Sequence, residues 1–217
     1  MRASAKATLL SEDMARVAYN AHAFIPARGM VKTARLHLGP SGLTATATDG
    51  YAIGEDAVLV EGYDGPAEGV TLHVGREGLA DLDSAGRKDK KGFGRFEMVA
   101  GDGLIFRPAN NDTPTAAPDV STEADEMIWE MLDSLFTRLE ERPVNMPEIV
   151  AFDPSLLARF AKVKAPKGKG GLGRALDMIV HDAKAPILCR IGPSFRGVIM
   201  PIDRDVHAEN VGPDGLW

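Results

Sequence analysis

Apolar and polar residues alternate over 3–10, which predicts a first strand. The period then changes. Met14, Val17, Ala18 and Ala21 recur at helical spacing, with Phe24 beyond them, so an amphipathic helix is expected to end near Phe24 or Ile25. Ser11 is its expected cap, with Glu12 and Asp13 in the first turn, where carboxylates meet the positive end of the helix dipole. Arg16 and Asn20 lie four apart on another face. Alternating runs at 34–38 and 43–48 flank Gly39–Pro40–Ser41–Gly42 and predict a hairpin. Strands are expected at 57–60 and 69–74, then a short helix from Arg76 to about Gly86 with Leu79 and Leu82 inward. The runs 95–100 and 104–107, joined by Gly101–Asp102–Gly103, carry the strongest hairpin signal.

Residues 108–124 hold three prolines among Thr, Asn and Asp and read as a linker. Residues 123–141 read as a longer helix, its stripe of Ile128, Leu132, Leu135 and Leu139 widened by Trp129, Met131 and Phe136. A short strand is expected at 150–152. Asp153 and Pro154 open a helix over 153–163 that buries Leu156, Leu157, Phe160 and Val163. A loop at 165–173 and strands at 176–181, 187–191 and 197–202 complete the pattern; the tail 203–217 has little periodicity. Strands joined by hairpins with interspersed helices predict an α+β fold of antiparallel sheets rather than a parallel α/β fold. The expected units are 1–110, an acidic linker and helix at 111–149, and 150–217, the last unit also being able to begin within 111–149.

Composition narrows the classes. With 217 residues, 44% hydrophobic and 26% charged, the chain has enough apolar mass for a core and is neither fibrous nor disordered. It holds no run near the ~20 apolar residues that span a bilayer, and its N-terminal residues lack a signal-peptide pattern. The single cysteine, Cys189, lies in an apolar strand and reads as a core residue in a reducing compartment; a cytoplasmic location is expected. The net charge of -6 is uneven: -1 over 1–100, -8 over 101–150 and +3 over 151–217.

Catalytic and metal patterns are weak. Gly168, Gly170 and Gly173 have dinucleotide-fingerprint spacing, but no strand leads into them. His22, His37, His73, His181 and His207 show no metal-ligand spacing. Asp177, Asp182 and Asp203 are better read as turn or surface residues than as a metal cluster, so no catalytic residue, cofactor or metal is expected. The basic residues say more. Arg159, Lys162, Lys164, Lys167, Lys169 and Arg174 fall in a stretch without an acid, and Arg87, Lys88, Lys90, Lys91 and Arg95 are interrupted only by Asp89. Each cluster sits at or just after a short helix. Flexible cationic stems suit phosphate contact, and duplex backbone is expected rather than stacked single strands.

Leu43, Ala47, Thr48, Asp49 and Gly50 resemble a first-domain motif of bacterial sliding clamps, the beta subunit of the replicative DNA polymerase. Phe152, Asp153, Pro154, Leu157 and Phe160 resemble that family's last-domain helix, 184–188 its Lys-Pro-Val strand, and 195–201 its closing strand, although Asp203 departs from the usual ending. The resemblance implies a DNA-clamp-like fold with two short helices per domain, the helices lining a hole for duplex DNA. Such rings hold twelve helices, so four per chain implies a trimer. It also implies polymerase or clamp-loader peptides as partners. The acids of 123–141 would repel DNA, which places that helix on the outer face or at a subunit contact. Arg16, Asn20, Arg87, Lys88, Lys90, Lys91, Lys162, Lys164, Lys167 and Lys169 are the expected DNA-facing residues, and Leu157, Ile199, Met200 and Pro201 the expected peptide pocket. The alternative is a clamp-fold adaptor or inhibitor that forms no ring.

Overall fold

The computed structural model describes residues 3–26, 31–89, 92–99, 101–109, 113–120, 123–144, 147, 150–166 and 175–203, with backbone alone at 123–127. The chain opens with β1 (Ser4–Leu10), α1 (Ser11–Phe24), β2 (Thr33–Gly39), β3 (Gly42–Thr48) and β4 (Ala52–Val58). After β5 (Glu61–Asp64) the same order returns in β6 (Val70–Gly75), α2 (Arg76–Lys88), β7 (Phe93–Val99), β8 (Gly103–Arg107) and β9 (Thr115–Ala117). The two units exchange their first strands: β1 pairs with β7 of the second, and β6 pairs with β2 of the first. This makes a five-stranded sheet, β5-β1-β7-β8-β9, and a sheet beginning β6-β2-β3-β4.

The remaining elements are α3 (Glu123–Glu141), α4 (Pro154–Phe160), β10 (Leu176–Ile179), β11 (Ile187–Ile191) and β12 (Phe195–Ile199). These last strands extend the second sheet to seven, because β12 pairs antiparallel with β4 from Phe195↔Asp56 to Ile199↔Ala52. The fold is α+β with antiparallel sheets, as expected.

Several local expectations change. Ser11 is the first helical residue rather than the cap; Leu10 holds that position without a side-chain bond. The Ser11 hydroxyl instead donates to the carboxylate of buried Asp89, which also accepts the Ala109 N–H. A charged acceptor across the helix pair outcompetes local capping. The strand expected at 57–60 is β4, starting at Ala52; Glu55 and Asp56 concealed it, being carboxylates that are buried and paired. The linker contains β9, bracketed by Pro114 and Pro118 and paired to β8 as an edge strand. No strand is assigned at 150–152 among the described residues, although the Ile202 N–H donates to the Ala151 carbonyl.

The seven-stranded sheet is covered on both faces, and alternation along its strands sorts the residues between two cores. Ile187, Cys189 and Ile199 join the main core, with Phe24 of α1 and Phe160 of α4. Their neighbours Leu188 and Val198, with Ile53, join a second core under Trp129, Leu132, Phe136 and Leu139 of α3. So α3 lies on the opposite face from α1 and α4. Its acids meet arginines of the sheet: Asp133 pairs with Arg35, and Glu140 with Arg196 and Arg190. Arg35 also stacks over Trp129 and Arg196 over Phe136, 5.2 and 4.4 Å from the ring centroids.

A cross-strand glycine pair makes the β4–β12 junction possible. Gly54 and Gly197 are register partners, and the rings of Phe24 and Phe160 rest on them. A Cβ at Gly54 would lie 2.5 Å from the Phe24 ring, and one at Gly197 2.7 Å from Phe160. The two rings meet edge to face at 5.1 Å, with Phe195 beside both. Cys189 is fully buried, and burial pushes its thiol up to about 12. It is expected to resist a maleimide at pH 8 in the folded protein and to react fully in denaturant, as read by mass spectrometry.

Candidate nucleic-acid interface

The site is built on α1, with α2 and α4 contributing its flanks. Arg16 and Asn20 of α1 form its hidden support. Arg16 is 8% exposed and Asn20 fully buried. Arg16 Nη1 donates to both oxygens of Asp56 on β4, to Oδ1 at 2.5 Å, and to the Ser194 hydroxyl at 2.9 Å. Asn20 Nδ2 donates to Asp56 at 2.8 Å and to the Lys164 carbonyl at 2.9 Å, while the Lys164 N–H donates back to Asn20 Oδ1 at 2.8 Å. The network ties α1 to β4, to the segment after α4 and to the β11–β12 hairpin. Arg16 and Asn20 are therefore corrected from DNA-facing to supporting residues: burial and ion pairing leave them no charge or amide to offer a phosphate.

That support delivers Lys164 to the surface. Its Nζ lies 3.4 Å from the centroid of the Tyr19 ring, and Arg87 of α2 lies over the same ring at 5.2 Å. Burial, with Arg87 nearby, lowers the Lys164 ammonium from its ordinary value. Arg87 donates two hydrogen bonds to Asp83, at 2.6 and 2.7 Å, which hold its charge. Lys88 at the end of α2 and Lys162 just after α4 are exposed. His22, half-buried on α1, is held below the ordinary imidazole range by burial first and by Arg76 next, against a smaller opposing pull from Asp83.

Thus Arg87 and Lys164, far apart in sequence, meet around Tyr19, with exposed Lys88 and Lys162 one and two positions along the chain from them, whereas Lys90, Lys91, Lys167 and Lys169 lie outside the described residues. The aromatic ring that Arg87 and Lys164 approach comes from a different helix, α1. Tyr19 was missed because it lies beside the apolar stripe of α1; its offset of three residues from Arg16 was the available signal. Arg159 is occupied, pairing with Asp49 at 2.5 Å. Asp49 also accepts the N–H groups of Tyr51 and Ala52 at 2.9 and 2.8 Å, so this carboxylate shapes the β3–β4 turn and docks α4 on it.

The expected peptide pocket comes together only in part. Leu157 and Pro201 are half-buried, and Met200 is exposed with its N–H bonded to the Tyr51 carbonyl. Ile199 is fully buried in the main core. It is corrected from a pocket residue, since adjacent strand residues point to opposite faces. Exposed Tyr51, 67% accessible, stands beside Met200 in its place. Among the described residues no group of three His, Cys, Asp or Glu side chains is arranged to hold a metal, and no helix is long and apolar enough to cross a membrane.

No protein-family model and no curated protein matches this chain. Solved structures do. A DNA polymerase III beta subunit of Eubacterium rectale, itself described as putative, aligns with a TM-score of 0.64 and 11% identity over 92% of this chain. The DnaN sliding clamp of Pseudomonas aeruginosa, solved with griselimycin bound, gives 0.62 and 11% over 91%. The beta subunit of Thermotoga maritima gives 0.62 and 10% over 91%. The chain spans 66% of the first of these proteins and 65% of the other two. At such identities the likeness is one of fold: the chain has the architecture of the polymerase III beta clamps.

Proposed function

We propose that this chain is a non-catalytic sliding clamp, a processivity factor that encircles duplex DNA and tethers replication proteins to it. The observation that carries the reading is the cationic face around Tyr19, where Lys164 and Arg87 converge on one ring within a clamp architecture. Arg87, Lys88, Lys162 and Lys164 contact phosphates, with Lys90, Lys91, Lys167 and Lys169 as further contributors. Such contacts carry no sequence information, are screened by salt and let the protein slide. Tyr51, Met200, Leu157 and Pro201 receive a polymerase or clamp-loader peptide.

Closure requires self-association. The trimer expected from four inward helices counted α3, which covers the other face of the sheet. With α1, α2 and α4 inward, a ring of twelve such helices takes four copies. Light scattering at micromolar concentration reads the copy number, and a strict monomer removes the ring. The decisive test is retention on DNA: the protein loaded on nicked circles should stay through gel filtration and leave once the circles are cut. Equal loss from both forms would sink the reading and favour the adaptor.

The same face predicts a pH response. Burial first, then Arg76 and Lys162, hold His22 low; phosphates beside those two cations offset their share, so its pKa rises on binding and a proton is taken up. Affinity for a short duplex should therefore grow as pH falls from about 7.5 to 5.5, and His22→Gln should flatten the profile measured by anisotropy.

A further inference from the structure

The outer face of the five-stranded sheet carries a second cationic site, unconnected with the helices. Ala5, Ala7 and Leu9 of β1 point into the core with Phe96 and Phe106; the alternate residues face outward. The register sets these outward residues in rows. Leu10 faces Phe93, Thr8 faces Arg95 and Arg95 faces Arg107, while Lys6 faces Glu97. A groove of about 310 Å³ runs over this surface, lined by Lys6, Thr8, Arg95, Glu97, Ile105 and Arg107 among others.

Charge in the groove is unbalanced in one place. Lys6 pairs with Glu97 at 3.4 Å, and Asp64 of β5 is its other register partner. Glu61 stands opposite Thr8, one strand away from Arg95. Arg95 and Arg107 are direct cross-strand neighbours, both exposed, and neither has a carboxylate partner among the described residues. Like charges facing each other across strands disfavour the sheet, and two adjacent guanidinium forks match paired carboxylates. One row away, Leu10 and Phe93 face each other at 38% and 47% exposure.

We infer that this groove binds an acidic peptide segment of a partner protein, with carboxylates on Arg95 and Arg107 and an apolar side chain on Leu10 and Phe93. Duplex DNA would satisfy the cations but offers nothing to bury the apolar pair. Acidic side chains alternating with apolar ones complement both.

The test uses the full chain and a fluorescein-labelled ten-residue peptide alternating Glu with Leu and Phe, followed by anisotropy. The peptide should bind, and its Gln-for-Glu counterpart should not. Arg95→Gln, Arg107→Gln and Phe93→Ser should each weaken binding about tenfold, as expected for removing one anchoring side chain. These side chains are exposed, so none of the variants should lower the thermal midpoint, and Arg95→Gln and Arg107→Gln should each raise it slightly as the like-charge contact is relieved. The inference is overturned if the peptide fails to bind at millimolar concentration, if the Gln peptide binds equally well, or if the three variants leave affinity unchanged. It is also overturned if duplex DNA displaces the peptide with the same dependence on Arg95 and Arg107, or if these variants abolish self-association instead. Loss of DNA retention without loss of peptide binding would strike the clamp proposal and leave this one standing.

Discussion

Asp56→Ala is expected to destabilise the protein by about 3–5 kcal/mol, the usual cost of leaving a buried charge without its partner. Asp56 is 1% exposed and lies between Arg16 Nη1 and Asn20 Nδ2. Without it the Arg16 guanidinium stays buried, with only Asp13, the Ser194 hydroxyl and the Ala57 carbonyl to face. Asn20 loses its anchor at the same time, and with it the hold on the Lys164 backbone. Urea denaturation followed by circular dichroism would show a midpoint lowered by roughly one to several molar at an unchanged slope. A double variant, Arg16→Met with Asp56→Leu, removes both charges and should recover most of the loss, because the ion pair itself adds little once its desolvation is counted. A cost below about 1 kcal/mol for Asp56→Ala would mean that solvent reaches Arg16 and that the network is not the tie between α1 and the C-terminal strands.

The second large effect concerns DNA. Replacing Arg87, Lys88, Lys162 and Lys164 together by glutamine should lower affinity for a short linear duplex at low salt on the order of a hundredfold. It should also reduce the slope of log affinity against log salt by about 3–4, near 0.9 for each phosphate no longer neutralised. The slope is the sharper readout, since a merely unfolded variant would lose binding without a defined salt dependence. Arg95→Gln with Arg107→Gln on the outer sheet face is the control and should leave the slope intact. An unchanged slope in the fourfold variant would remove the Tyr19 face as the DNA surface.

Much of the fold was legible because local pattern and tertiary environment agree. The α1 stripe from Met14 to Phe24, the 34–48 hairpin and the 93–107 hairpin each turn their apolar positions to one core, which writes a period into the sequence. β4 was obscured for the opposite reason. Its carboxylates Glu55 and Asp56 are buried against arginines from α1 and β12, so a polar pair occupies positions where an apolar one would announce a strand. β9 was hidden because three residues between two prolines carry no period, and only pairing to β8 makes them a strand.

The candidate site divides the same way. The two basic clusters are plain in the sequence, but residue type does not show which partner each cation meets. Arg87 and Lys164 reach Tyr19; Arg16 is sealed under Asp56 and Arg159 is taken by Asp49. The sequence by itself determined most of the elements, the α+β class and the uneven charge, because hydrophobic period and charge count are local quantities. Only the tertiary structure decided that α3 covers the sheet face opposite α1 and α4, that Gly54 and Gly197 meet beneath two phenylalanines, and which cations gather at Tyr19. Each depends on partners distant in the chain, and burial and pairing are properties of the contact rather than of the residue.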